Sequence, residues 1–186
     1  MLISDDYRAA QQAMHDKYHY GTASIKRAPL VTEIINRLEI THLLDYGCGK
    51  STQLIKHIKP RHKLTYQAYD PAVPDFAGEP IPAQMVACID VLEHIEPELL
   101  DNVLDDLQRV TELVLLATVH TGPAAKKLPD GRNAHLIQQP MEWWLPKFLE
   151  RFEVQTIQRL NDLSFYVIAY AKPRHIEGVD GEKLAS

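Results

Sequence analysis

The segment Leu43-Leu44-Asp45-Tyr46-Gly47-Cys48-Gly49-Lys50-Ser51 constrains the fold of this chain more than any other. An apolar run ends at an acid, passes two glycines and enters residues with helical spacing. Gly47 and Gly49 remove the Cβ atoms that would keep a ligand off the backbone. A helix starting behind them offers free N–H groups and a positive dipole end. The plainer alternative is an ordinary strand–turn–helix connection. Two better-known glycine loops are excluded. A nucleoside-triphosphate loop needs a glycine five positions before Gly49-Lys50, where Leu44 stands. A dinucleotide fingerprint needs a third glycine where Thr52 stands.

Around this segment the hydrophobic pattern alternates between strand and helix. Residues 4–18 read as a helix with Ser4 as N-cap and Asp5 and Asp6 in its first turn, ending near Gly21. Leu30, Ile34 and Leu38, with Val31 and Ile35, form one apolar helix face. His42–Tyr46 predicts a strand, Ser51–Ile58 a helix stopped by Pro60, and Leu64–Tyr69 a second strand. Met85–Ile89 is almost wholly apolar, as in a strand covered on both faces. A helix follows from Pro97 to Thr111, with Leu100, Val103, Leu104, Leu107 and Val110 as its inner stripe, and then a strand over Leu113–Val119. Pro140 opens a helix carrying Trp143, Trp144 and Phe148, with a kink expected at Pro146. Glu153–Arg159 and Ser164–Ala171 predict strands joined at Asn161-Asp162. The order implies an α/β, mostly parallel sheet with an antiparallel C-terminal strand hairpin and helices on both faces. We expect one domain over 1–172, with 1–28 as a helical cap or lid, and a polar tail over 173–186.

Bulk properties narrow the function. A chain of 186 residues suits one domain. A net charge of -5 disfavours a duplex nucleic-acid binder. The basic run Lys56, Lys59, Arg61, His62 and Lys63 reads as a solvated helix end and loop. Cys48 and Cys88 are too few for a disulfide framework. No leader-like segment or membrane-length apolar run is present, so a cytoplasmic protein is expected. His15 and His19 have the i, i+4 spacing of a metal pair, but no further ligands cluster with them, so no metal is expected.

Two further signals stand in order behind the glycine segment. The second strand ends in Tyr69-Asp70-Pro71, with Asp70 placed 21 residues after Gly49. Asp70 could accept from two ribose hydroxyls, or form a turn before Pro71. Met85 to Ile95 then reads Met-Val-Ala-Cys-Ile-Asp-Val-Leu-Glu-His-Ile. Taken together, Asp45-Tyr46-Gly47-Cys48-Gly49, Asp70 and Val91-Leu92-Glu93-His94-Ile95 resemble the class I (Rossmann-like) S-adenosylmethionine-dependent methyltransferase family over residues 30–171. The resemblance implies S-adenosyl-L-methionine as cofactor. It places the amino-acid moiety near Asp45, the cofactor against Tyr46, Gly47, Cys48 and Gly49, and the ribose at Asp70-Pro71. Asp90, Val91 and His94 border the cofactor and acceptor. Glu93 and His94 could equally cap the next helix.

The chain departs from the family between Asp70 and Met85. Pro71, Pro74, Pro80 and Pro82 exclude a regular helix there. The family's third strand and the helix before it are therefore expected to be reduced or missing, with adenine met by Ala72, Val73 and Phe76. Proline, or a second copy in a homodimer, could cover that sheet edge. On the acceptor side, the polar stretch His120 to Gln139 follows a strand at the expected ligand end. Asp130, Arg132, Asn133 and His135 are the expected acceptor ligands, with Trp144 as a wall. His120, His135 and Asp90 are the candidate catalytic groups. A small-molecule acceptor methylated on oxygen or nitrogen is expected. The alternatives are a nucleic-acid or nucleotide methyltransferase, or a cofactor-binding partner subunit without catalysis.

Overall fold

In the computed structural model, which describes residues 1–17 and 23–172, six strands form a single sheet. They are β1 (His42–Tyr46), β2 (Thr65–Tyr69), β3 (Ala83–Ile89), β4 (Thr111–His120), β5 (Phe152–Asn161) and β6 (Ser164–Ala171). The order across the sheet is β2-β1-β3-β4-β6-β5. β1 pairs in parallel with β2 and β3, and β3 with β4. β6 inserts antiparallel between β4 and β5. The short connection at Asn161-Asp162 requires this reversal.

Among the described residues, five α-helices surround the sheet: α1 (Asp5–Lys17), α2 (Ala23–Arg37), α3 (Gln53–His57), α4 (Leu100–Val110) and α5 (Met141–Arg151). Successive side chains of a strand point to opposite faces. Leu43, Met85, Ala87, Val114 and Leu116 thus pack with Val31, Ile34, Ile35 and Leu54 of α2 and α3. Leu44, Val86, Cys88, Leu115 and Ala117 pack on the other face with Val103, Leu104, Leu107, Trp144 and Phe148 of α4 and α5. Burial on both faces is why these strands read as nearly unbroken apolar runs.

Several boundaries differ from the sequence expectation. On α2 the buried stripe is Ala28, Val31, Ile34 and Ile35, while Leu30 and Leu38 sit at its margin. The helix expected from Pro97 splits into a 3₁₀ turn, Pro97–Leu99, followed by α4. α5 runs through Pro146 as one helix. Tyr18, His19, Tyr20 and Gly21, and the tail over 173–186, lie outside the described residues.

Pro71 to Gln84 contains a 3₁₀ turn at Pro74–Phe76 and adds no strand, apart from the first residues of β3, as the prolines led us to expect. β2 is consequently an edge strand. The segment folds back onto it: Asp70 N–H donates to Phe76 O at 3.0 Å, and Ile81 N–H to the Gln67 side chain at 3.3 Å. Among the described residues, no helix is long and apolar enough to cross a membrane.

The parallel strands bring their carboxyl ends to one side of the sheet. That geometry gathers Gly47, Asp70, Asp90 and His120, which the sequence scatters over more than 70 positions. α1 lies across this end, with Ile3, Tyr7 and Met14 packed on Ala72, Leu128 and Ala134.

Candidate active site

A cavity of about 390 Å³ opens at these strand ends. This size falls in the range of small-molecule sites. The glycine loop forms one wall. Gly47 has φ +79° and Gly49 φ +62°, conformations that favour glycine. The N–H groups of Gly47 and Cys48 both donate to Tyr69 O, at 2.7 and 3.1 Å, which ties the loop to the end of β2. A Cβ on Gly47 would lie 2.4 Å from Cγ2 of Val91, so close approach of the two loops also demands glycine there.

Asp70 fastens the loop from the next strand. Its Oδ2 accepts from Gly49 N–H at 3.0 Å and its Oδ1 from Ala72 N–H at 2.9 Å. The turn-forming and ligand-facing readings of Asp70 therefore coincide, because Asp70 and Pro71 also line the cavity. Of the residues expected at adenine, Ala72 lines the cavity, whereas Val73 and Phe76 do not.

Asp45, Tyr46 and Cys48 lie beneath the loop rather than on the cavity wall. Asp45 is buried and accepts from Tyr66 Oη at 2.7 Å. Burial pushes its carboxyl up to about 7, against the lowering effect of that hydrogen bond. Tyr46 Oη donates to Asp106 Oδ2 at 2.8 Å, towards α4. Cys48 Sγ bonds Gly49 O at 3.2 Å, and burial pushes the thiol up, away from the reactive thiolate.

The opposite wall begins where β3 ends. Asp90 has φ +53°, an uncommon conformation that Asp tolerates better than most residues. Thr118 holds it: Thr118 Oγ1 donates to Asp90 Oδ1 at 2.5 Å, and Asp90 N–H reaches Thr118 Oγ1 at 2.9 Å. Val91, Glu93 and His94 follow along the cavity. Glu93 is wholly buried, and its Oε1 accepts from His120 N–H at 2.9 Å. Burial, reinforced by Asp90, pushes its carboxyl well above the usual carboxylate range.

Three imidazoles complete this wall. His135 sits between His94 and His120, with ring centroids 4.7 and 4.9 Å away. Nδ1 of His94 faces Ala134 O at 2.7 Å and Nδ1 of His135 faces Gly122 O at 2.7 Å. Each Nδ1 must therefore carry its hydrogen, which leaves each Nε2 with a lone pair. Burial lowers His94 to about 4, and burial also lowers His135. Both rings are neutral near pH 7, as a proton acceptor or metal ligand must be.

The segment after His120 corrects the expectation for the acceptor ligands. Residues 126–134 form a small hairpin, with a bridge between Lys127 and Asn133 and Gly131 at φ +90° in its turn. Asp130 and Arg132 stand at its exposed tip, paired with each other at 2.7 Å, and do not line the cavity. Asn133 faces inward, but to staple the backbone: its Oδ1 accepts from Ala124 N–H and His135 N–H, both at 2.9 Å, and its Nδ2 donates to Ala124 O. Only Ala134 and His135 of Asp130–His135 reach the cavity. Trp144, expected as a wall, is instead fully buried in the α4–α5 core, with Nε1 donating to Gln139 O at 3.2 Å. Core packing covers the large ring completely, and its one N–H finds a backbone acceptor there.

The sequence reading expected a helical cap or lid over 1–28 but named none of the residues that it brings to the cavity. Tyr7, Gln11 and His15 recur every four residues on one face of α1, and all three line the cavity together with Ile3, which precedes the helix. Tyr7 Oη donates to His94 O at 2.5 Å, and Ser4 donates to Glu96 through both its N–H and its hydroxyl. The spacing was visible, but no apolar partner in the sequence marked that face as a wall.

No protein-family model and no curated protein matches the sequence. Solved structures do match in fold. The 1,6-didemethyltoxoflavin-N1-methyltransferase of Burkholderia thailandensis, with 1,6-didemethyltoxoflavin and S-adenosylhomocysteine bound, aligns with a TM-score of 0.64 over 90% of each chain at 14% identity. DhpI in complex with SAH aligns at 0.59, over 92% of this chain and all (100%) of that one, with 14% identity. A SAM-dependent methyltransferase from Aquifex aeolicus aligns at 0.57, over 87% and 98%, with 15% identity. The chain has the class I, Rossmann-like fold of S-adenosylmethionine-dependent methyltransferases.

Proposed function

We propose that this protein is an enzyme that binds S-adenosyl-L-methionine and transfers its methyl group to an oxygen or nitrogen of a small polar acceptor. The observation that carries the reading is the facing of two unlike walls in one cavity. A glycine loop clamped by Asp70 stands on one side, and the imidazoles of His94, His120 and His135 stand on the other. The fold and the bound molecules of the similar structures support it.

The residues present fit the cofactor. Gly47 and Gly49 expose backbone without side chains, and Asp70 keeps acceptor capacity on both oxygens beyond the two N–H bonds it already takes. Asp90 and Val91 would border the bound cofactor from the end of β3. When bound, the cofactor supplies an electrophilic methyl on a sulfonium, so the protein need not activate the donor. Its task is to hold the acceptor in line with the methyl and exclude water. His120 and His135 face the cavity as candidate bases for an acceptor that must lose a proton. Asn133 acts through His135, by fixing its backbone.

A small acceptor agrees with the cavity volume of about 390 Å³. It also agrees with the place of the basic run: Lys56, Lys59, Arg61, His62 and Lys63 lie outside the cavity lining. The test is turnover of methyl-labelled cofactor over a panel of hydroxylated and amino acceptors. Transfer lost in His120→Ala or His135→Ala, with cofactor affinity kept, supports the reading. Full transfer in both variants would remove the imidazoles from the mechanism.

A further inference from the structure

Glu93 presents a buried carboxylate oxygen that the rest of the fold leaves unanswered. Its Oε1 is accounted for by His120 N–H, but Oε2 is buried and has no hydrogen-bond partner among the described residues. A buried polar atom in that state is costly, more so when charged, and calls for a ligand. Glu93 is fully buried and lines the cavity, as do His94 and His135. One ligand atom of each of these three residues lies within 4.8 Å of the others.

We propose that Glu93, His94 and His135 form a binding site for a divalent transition-metal ion on the acceptor side of the cavity. Two imidazoles and one carboxylate are a donor set suited to Zn²⁺ and its first-row neighbours. The surroundings of the ligands match the proposal. The Nδ1 atoms of His94 and His135 are each held by a backbone carbonyl at 2.7 Å, which orients the rings and leaves Nε2 as donor atom. Asn133 in turn fixes the backbone at His135. Asp90, at the end of β3, lines the same cavity and places a further acidic side chain on this wall. His120, whose ring lies tilted at 4.9 Å from that of His135, stands next to the trio without being needed for it, and it is the candidate base that remains when His135 holds the metal.

Three protein ligands leave at least one coordination position, and the cavity is the open side. An oxygen donor, such as a hydroxyl or carboxylate of the acceptor, is the chemistry that would fill it. This role in acceptor binding rests on the methyl-transfer reading, whereas the metal site does not. Helical spacing such as that of His15 and His19 is visible in a sequence. Contact between a turn after β3 and a loop after β4 is not.

The test uses tag-free full chain, without cofactor or acceptor. Zn²⁺ titration by calorimetry should give one site per chain, and Co²⁺ should give visible d–d absorption from nitrogen and oxygen ligands. Glu93→Gln preserves shape and the acceptor for His120 N–H, and should weaken binding at least about tenfold, as should His135→Ala. Circular dichroism and the melting temperature of the metal-free variants show that they fold, and a metal-induced rise in melting temperature should be confined to the wild type. Absence of a stoichiometric site in the wild type overturns the proposal. So does equal affinity in folded Glu93→Gln and His135→Ala. Because cofactor binding is measured separately, failure of the metal site and failure of the methyltransferase reading are distinguishable.

Discussion

Substituting Gly47 by alanine should destabilise the protein by roughly 2–5 kcal/mol, through two separable effects. The first is conformational: φ is +79°, and a residue with a Cβ pays about 1–2 kcal/mol in the left-handed region. The second is steric: the new methyl would stand 2.4 Å from Val91 Cγ2 and 2.9 Å from Cγ1, and such overpacking costs roughly 1–3 kcal/mol. Movement of the loop would relieve the clash only by stretching the hydrogen bonds from Gly47 and Cys48 to Tyr69 O. Val91→Ala removes the two methyls involved, so Gly47→Ala/Val91→Ala should recover most of the steric part. The conformational part should remain. Urea unfolding of the wild type, both single variants and the double variant gives the coupling energy directly. Coupling near zero, or a Gly47→Ala protein within 0.5 kcal/mol of wild type, would refute the close packing of these two loops.

Other consequences are equally checkable. Asp70→Ala should cost about 2–4 kcal/mol of stability, since two backbone N–H groups lose a charged acceptor, so a loss of cofactor binding in that variant is uninformative alone. Asp70→Asn, which keeps an acceptor on one side, should stay folded and report the contribution to binding. Asp45 holds its proton up to about 7 in the folded protein but releases it near 4 when unfolded. The folded state thus binds more protons between those values, and stability falls as pH rises from about 4 to 7, by on the order of 4 kcal/mol from this group. Asp45→Asn should flatten that part of the stability–pH profile; an unchanged slope would assign it to other groups. Trp144→Ala should destabilise by roughly 3–5 kcal/mol, as expected for a fully buried ring. Arg132→Ala, at the exposed hairpin tip, should change stability by less than about 0.5 kcal/mol and leave cofactor affinity intact.

What the sequence could disclose follows from how far apart interacting residues lie. The strand–turn–helix at Leu43–Thr52 is local, so its glycines and its strand could be read directly. The antiparallel end of the sheet was legible because a short connection at Asn161-Asp162 leaves β5 and β6 no other arrangement. The prolines of 71–82 announced the missing strand, since proline has no N–H to give a ladder. The acceptor side was read less well. Asp130 and Arg132 are polar and near each other in sequence, yet they satisfy each other in a turn, and the chemistry falls to residues beside them. Glu93 and His135 are 42 positions apart, and nothing local to either marks them as neighbours. Trp144 was misplaced for a related reason: adjacent residues leave a helix in different directions, but the sequence does not say which tryptophan turns inward.

The central claim is that the cavity between Gly47 and His135 holds S-adenosyl-L-methionine. Isothermal titration of the wild-type chain with S-adenosyl-L-methionine and S-adenosylhomocysteine tests it most directly. One saturable site for each, strongly weakened in a folded Asp70→Asn or Gly47→Ala/Val91→Ala protein and preserved in Arg132→Ala, is the expected result. A folded wild-type chain that binds neither molecule, or whose binding is indifferent to the Gly47 and Asp70 substitutions, would contradict it.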